Sequence, residues 1–542
     1  VNGKLVGENN IGYLPFSFDL NDFLLIGKSN RIVVKVDNTH RRGAMWNWGG
    51  IRRPVCLEIT DKSRFEYQHI TAIPDLKNRT AQGNILFEVS NHADRDELLG
   101  YEVDIIKDSI VVWNLKGKVN LNIGANQSEK VEVPFAIAGQ DLKLWHFNTP
   151  HLYQSVLRLY RENTLIDEIS DRFGIRKEEV DGEIIKLNGE PIRTVGFNLV
   201  PEDRTTGSTL PLWRIMEDVD MMKGLGANMA RLSHQPLPKD FLDYLDEKGI
   251  MTFEEVTLWG KDAMATPKAQ IPKEWLYRMI KEKYNHPSVI GWSVGNEIGY
   301  QDQNPEVMDY VEGAIRQAKE LDPHRLAVYV SHSAASQPID PIQFSDVLMY
   351  NKYDKWGSNA EKVHQYNPGK PLFYSEYGYK ITDEDPNNGV INVREMLNEM
   401  RGKPYLMGAS YWAFNDYRSA YNGTPPSGNR SWGLVNSFRQ KKRAYSQFRK
   451  EYAPVQSLEL NGKTDVTIKP RDTLDIPAYT LRGYRLLWEA SGYDGKLIDG
   501  GFNMLPEIRP NDDLIIRKLI WNNNLESVTE IKVSLLDPQG YS

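Results

Sequence analysis

Between residue 192 and about residue 451 the chain repeats one unit eight times: a short apolar run, a polar break, then an amphipathic stretch. The apolar runs fall at 192–199, 228–233, 250–256, 289–296, 326–330, 346–351, 372–376 and 406–414. Between them lie stretches such as 211–225, 238–248, 272–284, 305–321 and 390–401, and a closing helix is expected over about 441–451. Near-continuous apolar strands are those buried on both faces, the condition of a parallel sheet covered by helices. Prolines 211, 238, 272 and 305 open four of the stretches; proline suits a first helical turn because the N–H it lacks would go unbonded there. Eight such units over roughly 260 residues meet the requirement of a (β/α)8 barrel. A doubly wound sheet with fewer strands is the competing fold.

On both sides of this region the pattern shortens to a period of two, broken by Gly, Asn and Asp, as in Asn30-Arg-Ile-Val-Val-Lys-Val36 and Gly100-Tyr-Glu-Val-Asp-Ile-Ile106. That is the rhythm of β-sandwich modules. A break near Asp61-Lys-Ser63 divides the first part, so the expected order is a sandwich over 1–61, a second over 62–180, the barrel over 181–454 and a further sandwich over 455–542, the last apparently incomplete. A hairpin is expected over 182–191. The opening Val-Asn-Gly-Lys-Leu-Val-Gly reads as a strand-turn-strand under way, so the first sandwich is expected to be partial, with room for a signal peptide upstream. Three or four modules suit 542 residues, too many for one hydrophobic core.

A net charge of −7 and a pI near 5.9 argue against a nucleic-acid partner, because phosphate binding draws on clustered Lys and Arg. The one basic run, from Arg439 to Lys450, reads as the solvated face of the closing helix. Cys56, in an apolar stretch, is expected to be a buried strand residue; a single cysteine excludes an internal disulfide and any multi-cysteine metal site. No apolar run approaches the ~18 residues that span a bilayer, so no membrane partner is expected. A homo-oligomer is compatible with the sequence, and a glycan-degrading role would favour a periplasmic or secreted location.

In a (β/α)8 barrel the active site lies at the C-terminal ends of the strands, where the βα loops converge. The fourth run ends in Asn296-Glu297 and the seventh in Glu376; the third ends in Glu254-Glu255. Two carboxylates across a cleft are the equipment of glycosidic bond cleavage, one protonated to serve the leaving oxygen and one ionised to face the oxocarbenium-like carbon. Crowding two negative charges separates their pKa values without a metal. The fourth run also contains Gly291-Trp-Ser-Val-Gly295, the G-x-S-x-G of a serine-hydrolase elbow, with Asp346 and His364 available downstream as partners for Ser293. That reading requires Ser293 on a sharp turn, yet the apolar run continues past it. A carbohydrate-binding protein without catalysis is a third class, which the sandwiches alone would allow.

Asn285-His-Pro-Ser-Val-Ile-Gly-Trp-Ser-Val-Gly-Asn-Glu297 resembles the acid/base signature of glycoside hydrolase family 2, the retaining β-galactosidase, β-glucuronidase and β-mannosidase family, and Pro371-Leu-Phe-Tyr-Ser-Glu-Tyr-Gly378 is similar to its nucleophile strand. Phe173-Gly-Ile-Arg176, Leu187-Asn-Gly189, Arg231-Leu-Ser-His234 and Gly49-Gly-Ile-Arg-Arg-Pro-Val55 extend the likeness, the last resembling the family's sugar-binding sandwich, with an immunoglobulin-like module expected next. The resemblance implies Glu297 as general acid/base, Glu376 as nucleophile and Asn296 as a hydrogen-bonding partner of the sugar 2-hydroxyl. It places Arg231 and Tyr350 around the nucleophile, His234 on a sugar hydroxyl and Trp412 beneath the sugar ring, with Trp259 and Asp203 as further contacts. Val200 stands where many members carry His, Ala44-Met45 where an acidic sugar contact is usual, and the Glu-x-His of the magnesium-binding branch has no counterpart after Glu254, so neither a metal nor another cofactor is implied. Gly428-Asn-Arg-Ser-Trp-Gly433 lies near the Asn-x-Lys of the glucuronidase branch without fitting it; Arg430 is a candidate to read an anionic group such as sulfate. The expected activity is exo-acting and retaining, of β-galactosidase type on an oligosaccharide, with β-glucuronidase and then β-mannosidase as alternatives.

Overall fold

The computed structural model describes residues 1–37, 49–260, 265–298, 304–379, 392–421 and 424–542. All eight apolar runs form strands, and the strands close on themselves: β1 (Thr194–Asn198), β2 (Met229–Arg231), β3 (Met251–Glu255), β4 (Val289–Asn296), β5 (Leu326–Ser331), β6 (Leu348–Asn351), β7 (Leu372–Tyr377) and β8 (Leu406–Trp412) pair in sequence order, with β8 returning to β1. Every pairing is parallel. Around them lie α1 (Leu212–Gly224), α2 (Lys239–Lys248), α3 (Gln270–Lys283), α4 (Pro305–Leu321), α5 (Trp356–Tyr366), α6 (Val393–Met400) and α7 (Ala444–Glu451), and a 3-10 turn, Pro341–Phe344, stands between β5 and β6. This is the expected (β/α)8 barrel.

Of the prolines, Pro305 takes the first position of α4, whereas Pro211 and Pro238 sit one position earlier as extended caps and Pro272 falls inside the first turn of α3. The helix α5 fills the place after β6 where the eightfold repeat requires a helical segment, although no stretch there was singled out from the sequence. Its cap, Lys355, is left-handed (φ 47°) and makes no side-chain capping bond, so nothing local announces the start; burial of Trp356, Ala360 and Val363 holds it.

Alternation along the strands sorts side chains into two layers. Val195, Phe197, Ala230, Trp292, Val294, Leu348, Tyr350, Tyr374 and Tyr411 pack with the helices. Met229, Met251, Phe253, Val328, Met349, Phe373 and Met407 belong instead to an apolar core shared with Tyr479, Leu481, Leu486 and Trp488 of the C-terminal module. That module therefore shares an apolar core with the inward side chains of the barrel, a core to which Ile185, Leu187 and Ile192 of the hairpin region also belong. It consists of two three-stranded sheets, one from Ser457–Asn461, Asp465–Lys469 and Ile515–Lys518, the other from Arg485–Ser491, Leu497–Met504 and Glu530–Leu536.

Upstream of the barrel, Ser63–Asp75, Thr80–Asn91 and Gln127–Ala138 form one antiparallel sheet, and a second is built on Glu97–Lys107, Tyr153–Arg161 and Thr164–Phe173; their apolar faces enclose one core. The hairpin region gains a third strand, Glu178–Asp181. The Asn285-His-Pro-Ser stretch fastens this sandwich to the barrel: the Asn285 side chain accepts from the Ile70 N–H at 2.8 Å and donates to the Gln68 carbonyl at 2.9 Å. Arg176 donates to the carbonyls of Pro287 and Val289 at the start of β4.

The first 61 residues differ from expectation. No strand occurs among their described residues, including Asn30–Val36. A period of two makes a strand only when a neighbour takes its N–H and C=O groups; here Ile32 and Val33 are exposed instead. Cys56 is likewise exposed rather than a buried strand residue. The segment still touches the barrel, with Ile11 and Leu14 in the helix-side core and the Gly12 carbonyl accepting from Trp275 Nε1 at 2.7 Å.

Candidate active site

The inward positions at the open end of the barrel are polar: Asn198 ends β1, Arg231 β2, Glu255 β3, Asn296 β4 and Asn351 β6, while Glu376 stands one residue before the end of β7. Arg231 joins them. Its Nη1 donates to Glu376 Oε1 at 2.6 Å, and its Nη2 donates to Glu255 Oε2 and Asn296 Oδ1, both at 2.8 Å. A guanidinium is fit for this because its donors fan out in one rigid plane. His234 Nδ1 lies 2.7 Å from Glu255 Oε1, so Nδ1 carries a proton, the carboxylate being acceptor-only, and Nε2 lies 3.8 Å from Glu376 Oε1. Burial acts to raise Glu255, but the Arg231 charge and the His234 and Arg231 hydrogen bonds outweigh it and hold this carboxyl down at about 2.

Glu376 and Glu297 have contrasting neighbours. Besides Arg231, Glu376 accepts from the Tyr353 hydroxyl at 2.5 Å. Glu297 Oε1 accepts from Asn351 Nδ2 at 2.8 Å, and Trp259 adds a second neutral hydrogen bond to the same carboxyl. Its backbone is left-handed (φ 52°), a conformation that costs a non-glycine residue about 1 kcal/mol and that turns the side chain out of the strand. Burial raises both carboxyls above their ordinary value, and the Glu297 charge further raises Glu376. Arg231 and Tyr353 favour the ionised form of Glu376 at contact distance, whereas Glu297 has neutral donors. Contact with the Arg231 cation thus distinguishes Glu376 from Glu297, whose hydrogen-bond donors Asn351 and Trp259 are neutral.

The other expected residues fall into two groups. His234 and Trp412 are in the cleft, their ring centroids 5.7 Å apart and their planes inclined by 18°, and Trp412 Nε1 donates to Tyr417 OH at 3.0 Å. Val200 packs into the apolar cluster under Trp412, which explains how a residue other than His is accommodated there. Trp259 is in the cleft through Glu297, and Arg430 stands at its rim against Tyr417, Tyr421 and Trp432.

Two expectations are overturned. Tyr350 points outward into the helix-side core, because on β6 it is Met349 and Asn351 that face inward; the phenol on Glu376 is Tyr353, just past the strand end. Asp203 is consumed locally, Oδ1 accepting from the Thr205 N–H at 2.8 Å and Oδ2 from Arg214 Nε at 2.9 Å. Ala44-Met45 lies outside the described residues. Sequence reasoning also missed Asn198, Asn351 and Tyr353. For Asn351 the signal was present, since alternation from Met349 marks it as inward.

Ser293 sits within β4 and its hydroxyl donates to Glu255 Oε2 at 2.8 Å. The partners nominated for it are elsewhere: His364 pairs with Glu183 and Asp346 with Lys319. The elbow reading fails on this geometry. Asp243, Asp246 and His286 gather ligand atoms within 4.8 Å of one another, but they are already engaged, His286 Nδ1 with Asp246 at 2.6 Å and Asp243 with Lys239 at 2.9 Å.

Residues 178–457 match the family model described as glycosyl hydrolases family 2, TIM barrel domain, and residues 66–176 match a second model, glycosyl hydrolases family 2. A β-galactosidase of Thermoanaerobacter pseudethanolicus is 27% identical over 478 residues, covering 84% of this chain and 60% of that protein. A β-glucuronidase of Bacteroides fragilis is 27% identical over 407 residues, covering 70% and 57%. The chain thus spans 60% or less of the length of either relative. Among solved structures, a GH2 β-galacturonidase from Eisenbergiella tayi bound to galacturonate aligns with a TM-score of 0.68 and 25% identity over 76% of each chain.

Proposed function

The chain belongs to glycosyl hydrolases family 2, and from that premise we propose that it is a retaining exo-β-glycosidase acting on the terminal sugar of an oligosaccharide, with Glu297 as acid/base and Glu376 as nucleophile. The observation that carries the reading is the asymmetry of the two carboxyls: Glu376 takes donors from Arg231 and Tyr353, while Glu297 takes Asn351 and Trp259.

In the first step Glu376 attacks C1, the bond from C1 to the glycosidic oxygen breaks, and that oxygen receives the Glu297 proton. The leaving alcohol departs and a glycosyl ester on Glu376 remains. In the second step Glu297, now ionised, takes a proton from water as the water oxygen attacks C1, freeing Glu376 and a sugar of retained β-configuration. Asn296 stands beside the nucleophile, held by Arg231 and by Asn351 Nδ2 at 3.1 Å, where the 2-hydroxyl of the sugar would lie. Trp412 offers its ring as the floor.

A β-galactosidase-type substrate is the first choice. β-Glucuronidase is the second, favoured by Arg430 at the rim and by the Bacteroides fragilis relative. The test is a set of aryl glycosides with three variants. Glu376→Ala is expected to lose turnover and to regain it with azide as a glycosyl azide of inverted configuration. Glu297→Gln is expected to keep activity only on glycosides with acidic leaving groups, and Ser293→Ala to keep much of it on all. Absence of azide rescue, or loss of activity only in Ser293→Ala, would refute the assignment.

A further inference from the structure

We propose that Trp259 and Tyr421 form the wall of the leaving-group side of this site, and that the wall selects a leaving group shaped as a ring with an apolar face, a pyranose or an aryl ring, over an open-chain alcohol. The proposal rests on the glycosidase reading above and names what stands on the far side of the bond that is cut.

Trp259 is placed by the backbone. Beyond the end of β3 the chain pairs once more with β4: the Asn296 N–H donates to the Leu258 carbonyl at 2.9 Å and the Gly260 N–H donates to the Asn296 carbonyl at 3.2 Å, so Trp259 stands in register with Asn296. From there its indole N–H reaches the Glu297 carboxyl. An indole has one donor, and committing it fixes where the ring lies. Tyr421 meets that ring edge-on from the loop after β8, with centroids 5.3 Å apart and planes inclined by 74°. Its own loop holds it, the Tyr421 N–H donating to Ser419 Oγ at 3.0 Å and the Tyr421 carbonyl accepting from the Thr424 N–H at 3.1 Å. The Arg430 guanidinium lies over the Tyr421 ring at 5.2 Å. Since β1 and β2 stand between β8 and β3 in the barrel, the two loops meet across them.

The acid decides which part of the substrate this wall faces. Glu297 delivers its proton to the glycosidic oxygen, so the atoms beyond that oxygen lie against the surround of the Glu297 carboxyl. Of its two donors, Asn351 also donates to Asn296 and so belongs to the sugar side. Trp259 leads the other way, to Tyr421. Both rings are half-buried, which leaves part of their apolar area in water. A ring leaving group covers that area with its C–H face, and an alcohol of one or two carbons does not.

The experiment reads how the glycosyl ester on Glu376 is shared between water and an added alcohol. In the transfer the alcohol oxygen bonds to C1, its proton passes to Glu297, and the C1–Glu376 bond breaks, so the acceptor must occupy the leaving-group side. The ester is made from whichever of 4-nitrophenyl β-D-galactoside and β-D-glucuronide turns over, and the acceptors are methanol, glucose and benzyl alcohol. Every acceptor draws on one common ester, so changes in sugar binding cancel. In the wild type the ring acceptors are expected to exceed methanol, mole for mole, by about 3- to 10-fold. Tyr421→Ala and Trp259→Ala are expected to lose that advantage while transfer to methanol is kept; Trp259→Phe, which keeps a ring, is expected to retain most of it. Loss confined to glucose assigns the wall to a pyranose, loss confined to benzyl alcohol to an aryl ring, and loss of both to the ring face as such. A residue that only supports the fold changes the overall rate and leaves the partition alone; an unchanged partition in Tyr421→Ala, or an equal fall for methanol, overturns the proposal. Should neither glycoside turn over, the glycosidase reading fails by itself. Calorimetry with phenyl and methyl 1-thio-β-D-galactoside then decides the wall: a preference for the phenyl compound that Tyr421→Ala abolishes supports it, and equal or undetectable affinities overturn it.

Discussion

Replacing Tyr353 by Phe removes one hydrogen bond, 2.5 Å long, from a buried carboxyl, and leaves the ring in place. A hydrogen bond to a charged group contributes about 1.5–3 kcal/mol, and it is stronger for the carboxylate than for the carboxylic acid. Since 1.36 kcal/mol of differential interaction is one pKa unit, Glu376 is expected to titrate about 1–2 units higher in the variant. The proposed mechanism requires Glu376 ionised, so the acidic limb of kcat/KM against pH is expected to move to higher pH by that amount. At the plateau kcat is expected to fall about 10- to 100-fold, because the same donor would neutralise charge as the glycosyl ester breaks down. The assay is a pH profile on an aryl glycoside for the wild type, Tyr353→Phe and Tyr350→Phe. Tyr350, outside the strand layer that faces the cleft, is expected to leave the limb where it is. An acidic limb that stays fixed in Tyr353→Phe, or moves in Tyr350→Phe instead, would refute the assignment of roles.

The basic limb reports the other carboxyl. Trp259 bonds the ionised form of Glu297 and so lowers its pKa; Trp259→Phe is expected to raise it and to carry the loss of activity to higher pH, and a shift to lower pH would contradict this. Glu255 is held at about 2 against 4.5 for the free side chain, so its contribution, about 3 kcal/mol, is fully present above 4.5 and is lost as pH falls through 2. Urea unfolding between pH 5 and 3 is expected to show a shallower acid slope in Glu255→Gln than in the wild type, whatever its stability at neutral pH. Gly291 has no room for a methyl group: a Cβ would lie 2.5 Å from Phe253 Cε1 and 2.9 Å from the Leu326 carbonyl oxygen. Gly291→Ala is expected to lower stability by about 1–3 kcal/mol, measured by thermal unfolding, and an unchanged transition would show that the strand can yield.

The barrel was legible because each of its strands is buried on both faces, which writes a continuous apolar run into the sequence. Positions at the strand ends were legible for the same reason: Asn296, Glu297 and Glu376 follow apolar runs directly. What escaped was the choice between neighbours, which depends on which face a residue takes. Tyr350 and Asn351 are adjacent, and only the inward run through Met349 distinguishes them. Glu254 and Glu255 pose the same problem: Glu254 accepts from the Leu237 N–H and lies 3.8 Å from Lys283 of α3, whereas Glu255 reaches Arg231. Tyr353 lies in a loop, where no periodicity applies. The Asn285-His-Pro-Ser stretch was read as part of a catalytic signature, yet its Asn285 side chain braces the sandwich against the barrel and its His286 side chain bonds Asp246 of α2. The first 61 residues show the converse, a strand pattern whose backbone groups find no neighbouring strand among the described residues.

Glu255 has a further significance that follows from counting charge around Arg231. With the roles proposed above, Arg231 contributes one positive charge in the resting site, Glu255 and Glu376 one negative charge each, and protonated Glu297 none, so these four groups sum to one negative charge. On the proposed mechanism Glu376 loses its charge and Glu297 gains one when the glycosyl ester forms, so the four groups again sum to one negative charge. Both oxocarbenium-like transition states thus meet a negative surround, which is the condition for stabilising positive charge at C1. Without Glu255 the cluster would be neutral in both states, and Arg231 would be left without an anionic partner during the lifetime of the ester, in a position where it is 1% exposed. An unpaired charge at such a site costs several kcal/mol. If Glu376 is the nucleophile as proposed, Glu255 is the fixed counter-ion that lets it change its charge while the arginine beside it stays paired.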